Sequence, residues 1–143
     1  MSVIEVASVS KTYWDAQSRR EIRTLDKISL TARENDFLVL LGPSGCGKST
    51  LLNIIAGLVP HDAGGSVTVH GERVTGPNPK RMAYMFQDPV LYPWRTVVKN
   101  VEFGLEAQPI DKAERRRRAL KYLRIAGLEE FAEYYPRQLS GGM

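Results

Sequence analysis

The segment Gly42-Pro43-Ser44-Gly45-Cys46-Gly47-Lys48-Ser49-Thr50 restricts what this chain can become more than any other stretch, because it satisfies the pattern G-x-x-x-x-G-K-[ST]. That pattern needs a strand before it and a helix after it. The apolar run 37–41 (Phe-Leu-Val-Leu-Leu) precedes it, and Leu51 to Ala56 follows. A nucleotide brings several negative charges close together, so its holder must offer many donors without side chains in the way. Glycines at 42, 45 and 47 let the backbone wrap, including positive φ, so that successive N–H groups point inward. A helix starting near Lys48 adds its unpaired amides and the positive end of its dipole. In this pattern Lys48 reaches the β- and γ-phosphates and Ser49 places a hydroxyl on Mg²⁺. Thr50 offers a further hydroxyl near the α-phosphate, and the whole loop, with Pro43, Ser44 and Cys46, is read as nucleotide-contacting.

Composition agrees with a compact fold. The 143 residues are 43% hydrophobic and 25% charged, the make-up of one soluble globular domain. No apolar run approaches the ~20 residues of a membrane span, and the N-terminus lacks a basic segment followed by an apolar stretch, so a cytosolic location is expected. Cys46 is the single cysteine, which rules out an internal disulfide and fits a reducing compartment.

The formal net charge of +4 raises the question of a nucleic-acid partner. Its distribution argues against one. Between Asp111 and Ala126, seven basic residues stand against two acidic ones, so one segment carries the whole excess. Asp111 reads as an N-cap with Glu114 three residues on, Ala119, Tyr122, Leu123 and Ala126 recur at helical spacing, and Gly127 is a stop. An arginine run on such a helix is a solvated face, and no aromatic residues interleave with it to stack bases.

Along the chain, 2–10, 25–32 and 65–74 contain short β-rich runs, with an exposed hairpin loop expected over 14–23. The run 37–41 suits a parallel strand buried on both faces, and 82–86 is a further short buried-strand candidate. Leu51, Ile54, Ile55 and Leu58 form the stripe of the helix after the loop. Helical patterns occupy 96–106 and 111–126. The expected arrangement is a β-rich and phosphate-loop part over about 1–90 and a helical part over about 91–143.

Taken together these residues resemble the ATP-binding subunits of ABC transporters over nearly the whole chain. Three features beyond the phosphate loop carry the resemblance. Gln87, after Met82-Ala-Tyr-Met-Phe86, sits where the family has a glutamine that touches Mg²⁺ and the attacking water. Tyr13 looks like the aromatic residue that stacks on adenine. Leu139-Ser140-Gly141-Gly142-Met143 looks like the start of the family signature, in which Ser140, Gly141 and Gly142 present donors at a helix start to the ATP of an opposing subunit. The resemblance implies an α/β fold: a P-loop NTPase core of ABC type with a β-rich N-terminal subdomain and a helical subdomain, the C-terminal part of the core being absent. It also implies ATP and Mg²⁺ as cofactors, a second ATP-binding subunit, a membrane permease seated near Leu91 to Arg95, and a cytoplasmic place beneath the membrane.

Within the family, 87–96 and 135–139 look most like importers of nitrate, sulfonates and taurine. The sequence stops inside the signature, before the strand that in this family ends in a carboxylate pair, and before the later histidine that contacts the γ-phosphate. His61 and His70 match neither role, and Asp88, Glu129 and Glu130 do not sit at the end of a long apolar strand. An N-terminal fragment that does not turn over ATP by itself is therefore expected, with a run 37–41 deprived of sheet partners. A nonhydrolysing nucleotide-binding module, or a soluble ABC-type protein of nucleic acid or ribosomes, are the alternatives.

Overall fold

The computed structural model describes residues 2–88 and 90–143; Pro89, within the stretch 87–96 read above, lies outside the described residues. The chain divides into two compact units, Met1–Met85 and Phe86–Met143.

In the first unit, strands β1 (Ser2–Asp15) and β2 (Arg20–Arg33) form one long antiparallel hairpin, and β3 (Ser66–Val69) and β4 (Glu72–Arg73) extend it in the order β2-β1-β3-β4. The strands run further than expected: Trp14 pairs with Glu21 and Asp15 with Arg20. The loop expected over 14–23 thus contracts to 16–19. Asp15 explains the contraction, since its carboxylate accepts from the amides of Gln17 at 3.0 Å and Ser18 at 3.2 Å and closes a tight turn. The Ser18 hydroxyl, the largest cause, and these amides hold its carboxyl below the usual value.

The hairpin is bulged at its middle. Ser8 and Lys27 have φ of 49° and 48°, and the register shifts between Val6 and Val9. Each bulged amide finds a serine on the other strand. Ser8 N–H donates to Ser29 Oγ and Lys27 N–H to Ser10 Oγ, both at 2.9 Å, so the bend leaves neither donor unmet. Helix α1 (Lys48–Ile55) lays Leu51, Ile54 and Ile55 on the sheet, where they join Val6, Val9, Leu25 and Val67 in one buried cluster. Seven largely buried aliphatic side chains stabilise the unit by about 1.5–3 kcal/mol each before entropy is counted.

The parallel strand expected over 37–41 and the short buried strand expected over 82–86 are not formed. Neither segment is hydrogen-bonded into the sheet; Phe37 is 93% exposed, Leu41 89% and Met85 94%. A strand exists only beside another, and among the described residues neither run belongs to a sheet. Leu40 and Met82 do pack on the core cluster, and Tyr84 Oη donates to Asn53 Oδ1 of α1 at 2.7 Å. The segments are pinned from one side.

In the second unit, α2 (Val97–Glu106) and α3 (Lys112–Ile125) pack through Val97, Val98, Ala119 and Leu123, with Ala132 alongside. Thr96 stands at the N-cap of α2, but carbonyls from the chain after α3 satisfy the helix start: Val97 N–H donates to Tyr134 O at 2.8 Å and Val98 N–H to Ala132 O at 2.9 Å. Helix α3 starts at Asp111 as its sequence requires, the carboxylate accepting from Ala113 N–H at 2.8 Å and Glu114 N–H at 3.1 Å. Gly127, at φ 70°, follows its end. No helix among the described residues is long and apolar enough to cross a membrane.

Two outcomes follow from these contacts. Amides of residues 38–41 will exchange with solvent at least ~100-fold faster than those of Val6, Val9 and Val67, measured by hydrogen exchange with mass or NMR detection. The second concerns Glu114, whose carboxyl is lowered to about 2 by hydrogen bonds from Arg117 and then Arg118. A depressed carboxyl stabilises above its ordinary value and loses that contribution as pH falls through the lowered one. A Glu114→Gln chain will therefore be less stable than the parent at pH 6, and the difference will close between pH 4.5 and about 2 in thermal melts followed by circular dichroism.

Candidate nucleotide-phosphate site

The loop expected to cradle phosphate is built as its glycines require. Gly45 and Gly47 adopt φ of 79° and 98°, the left-handed region that side chains strain to enter. Gly47 is also the N-cap of α1, and it is buried. A Cβ there would lie 2.8 Å from Thr24 O and 2.8 Å from Leu25 Cδ2, so only glycine lets the helix start press against β2. A Cβ at Gly45 would meet open space. Its need for glycine is conformational alone.

The mouth of the loop is electropositive and rich in donors. No side chain caps α1 and no acidic residue stands in its first turn, so the first-turn amides lack the carboxylate that commonly covers a helix start. Lys48 folds back over the loop, its Nζ donating to Gly42 O at 2.8 Å and Pro43 O at 2.7 Å, with Cys46 Sγ at 3.6 Å. An ammonium parked on carbonyls in this way is ready to exchange them for a phosphate oxygen, a stronger charge-assisted partner. Ser49 is exposed and Thr50 half-buried, so the Ser49 hydroxyl meets solvent at the mouth. These features fit a polyphosphate. The single exposed Ser49 hydroxyl fits Mg²⁺ held mainly by phosphate oxygens and water.

Tyr13 lies in the distal half of the hairpin, opposite Ile22; the residue is 40% exposed, and the Lys11 ammonium lies 5.2 Å from its ring centroid. It shares the first unit with the phosphate loop.

Gln87 and Ser140 to Gly142 belong to the second unit. Gln87 lies in a bend with Asp88 and is exposed. Ser140 to Met143 form a turn closed by Met143 N–H to Ser140 O at 3.0 Å, and Ser140, Gly141 and Gly142 are exposed. Leu139 anchors that turn by packing on the second core cluster, and Gln138 Oε1 accepts from Tyr135 N–H at 2.8 Å.

The aromatic turn before α2 is organised by a residue that sequence reasoning passed over. Asn100 accepts from Tyr92 N–H at 2.8 Å and donates through Nδ2 to Tyr92 O, Arg95 O and Thr96 O at 3.1–3.2 Å. Around the turn, Tyr92 meets Phe103 edge-on at 4.8 Å and Trp94 at 5.4 Å, while Trp94 stays 72% exposed. Arg95 bridges to Glu106 at 2.6 Å, a hydrogen bond that raises the guanidinium and lowers the carboxyl. An asparagine inside a helix is the only local sign of such a clamp, and it does not reveal its partners. The acidic partners of the basic helix were equally hidden: Arg116 pairs with Glu133, and Arg124 with Glu129 at 2.6 Å.

A glycine-rich loop of the phosphate-cradle pattern thus opens a helix that packs on the sheet of the first unit. The family model described as ABC transporter matches residues 25–143. This chain belongs to that family. It is 52% identical over 122 residues to an uncharacterized ABC transporter ATP-binding protein of Methanocaldococcus jannaschii, covering 85% of this chain and 45% of the relative. It is 43% identical over 143 residues to the taurine import ATP-binding protein TauB of Rhizobium johnstonii, covering 100% of this chain and 53% of that protein. Among solved structures, a dimeric post-hydrolysis state of an ATP-binding cassette bound to ADP and Pi superposes with a TM-score of 0.83 at 33% identity, over 96% of this chain and 63% of that one. The chain thus spans about half the length of the curated relatives it matches.

The two glycines separate packing from conformation. Gly47→Ala will cost about 2 kcal/mol or more and shift the melting temperature clearly, whereas Gly45→Ala will cost about 1 kcal/mol, because the second introduces backbone strain without a clash.

Proposed function

We propose that this chain binds ATP with Mg²⁺ as the nucleotide-holding part of an ABC importer's ATP-binding subunit. The observation that carries the proposal is the phosphate cradle, where Lys48 bridges Gly42 O and Pro43 O above an uncapped helix start. Lys48 would move its ammonium to the β- and γ-phosphates, the loop amides would hold the phosphate oxygens, and Tyr13 would stack on adenine. Ser49 would ligate Mg²⁺ through its hydroxyl, with Gln87 as the further metal ligand and the residue that orients water. Bound Mg²⁺ would neutralise phosphate charge.

The chain's own residues are proposed to bind and position, not to supply a general base. Glu129 is engaged by Arg124 at 2.6 Å, and Asp88 lies in an exposed bend. Exposure of Phe37, Leu41 and Met85 supports the reading of an incomplete core on which further strands of a whole cassette would pair.

A whole subunit is proposed to work as a pair, with Ser140, Gly141 and Gly142 facing the partner's nucleotide, and to seat a permease segment on the turn from Leu91 to Arg95. The exposed Trp94, held by Tyr92 and the Asn100 clamp, supports that seat. The subunit would then lie in the cytoplasm at the inner membrane face. Likeness to taurine import proteins supports a small anionic or sulfonate-like solute. Nucleic acid is disfavoured because Arg116, Arg117, Arg118 and Arg124 already have carboxylate partners.

Lys48→Ala will weaken ATP binding at least ~10-fold in calorimetric titration while leaving the circular dichroism spectrum unchanged. Equal affinity before and after would refute the assignment of the loop.

A further inference from the structure

We propose that Lys11 is a positioning residue for the adenine-facing ring of Tyr13, and that Asp62 holds Lys11 in place. The proposal rests on the reading of Tyr13 given above and names the groups that prepare its ring.

Lysine side chains seldom leave solvent, yet that of Lys11 is only 14% exposed. Two contacts engage its ammonium. Its ammonium lies 5.2 Å from the centroid of the Tyr13 ring, within the range where a cation is drawn to an aromatic face. It also lies 3.9 Å from Asp62 Oδ1. Asp62 belongs to the loop after α1, and its own N–H donates to Ser10 O at 2.9 Å, which fastens that loop to β1 beside Lys11. The carboxylate is thus delivered by a backbone bond and does not depend on side-chain reach.

The consequence is an ordered row: Asp62, Lys11, Tyr13. The cation covers part of the ring while the residue remains 40% exposed, so ring surface stays open to a flat ligand. A ring whose rotamer is restricted beforehand loses less freedom when a base stacks on it. The nearby carboxylate offsets the Lys11 charge, so its effect should fall on the base and not on the phosphates.

The test uses the full 143-residue chain with two probes, ATP and inorganic tripolyphosphate, titrated calorimetrically. Lys11→Met should weaken ATP about two- to fivefold and leave tripolyphosphate unchanged, with Lys11→Arg restoring ATP affinity to within about twofold. Asp62→Asn, which keeps the backbone bond to Ser10, should reproduce a smaller ATP-only loss and serves if the methionine chain does not fold. In a Tyr13→Ala background, Lys11→Met should add nothing. Parallel loss of tripolyphosphate affinity would overturn the proposal, as would unchanged ATP affinity in Lys11→Met where Tyr13→Ala weakens it. If Tyr13→Ala itself leaves ATP affinity unaltered, the adenine reading fails first and the positioning role falls with it.

Discussion

The seat of Gly47 against β2 is the contact on which the phosphate site depends. Because no Cβ intervenes, the start of α1 approaches Thr24 O and Leu25 closely, and Leu51, Ile54 and Ile55 then reach Val6, Val9 and Val67. The same approach fixes the direction of the helix start. Its unpaired amides and the Lys48 ammonium therefore face one mouth, where an anion can satisfy both. Packing energy from the core thus holds a set of donors in an arrangement they would not keep alone.

A similar economy governs the rest of the first unit. The paired bulges at Ser8 and Lys27 bend the hairpin without an orphan amide, because Ser29 and Ser10 accept from them. Beyond the bend the strands continue past the edge of β3, and that extension carries Tyr13. In the second unit, polar clamps play the corresponding part. Asn100 holds the aromatic turn, and carbonyls of Ala132 and Tyr134 close the start of α2. The path leading to Ser140 is thereby tied to the helix pair.

Local elements were read well from the sequence where one short-range signal sufficed. Asp111 with Glu114 and Gly127 bracketed α3, and the glycine pattern placed the loop and α1. Strands at 37–41 and 82–86 did not form because apolar composition describes a burial preference, and burial needs a neighbour; for 37–41 the family resemblance already implies the loss of its sheet partners. Phe37, at 93% exposure, has the residue type of a core strand and none of its partners. The hairpin loop was drawn too long for a different reason: Trp14 and Tyr13 are β-formers whose pairing depended on a tight Asp15 turn. The basic helix showed its charge but not its carboxylate partners, which come from Glu102, Glu129 and Glu133 as well as Glu114.

By itself the sequence determined the chemistry: a glycine loop whose φ values only glycine adopts freely, a lysine and hydroxyls at a helix start, and membership of the ABC transporter family. Those are properties of residue type and spacing along a few turns of chain. Tertiary structure alone decided that Lys48 rests on Gly42 O and Pro43 O, and that Asp62 comes within 3.9 Å of Lys11 beside Tyr13. The first depends on how the loop wraps, and the second joins groups distant in sequence. Their geometry is set by how the chain packs, which no local pattern encodes.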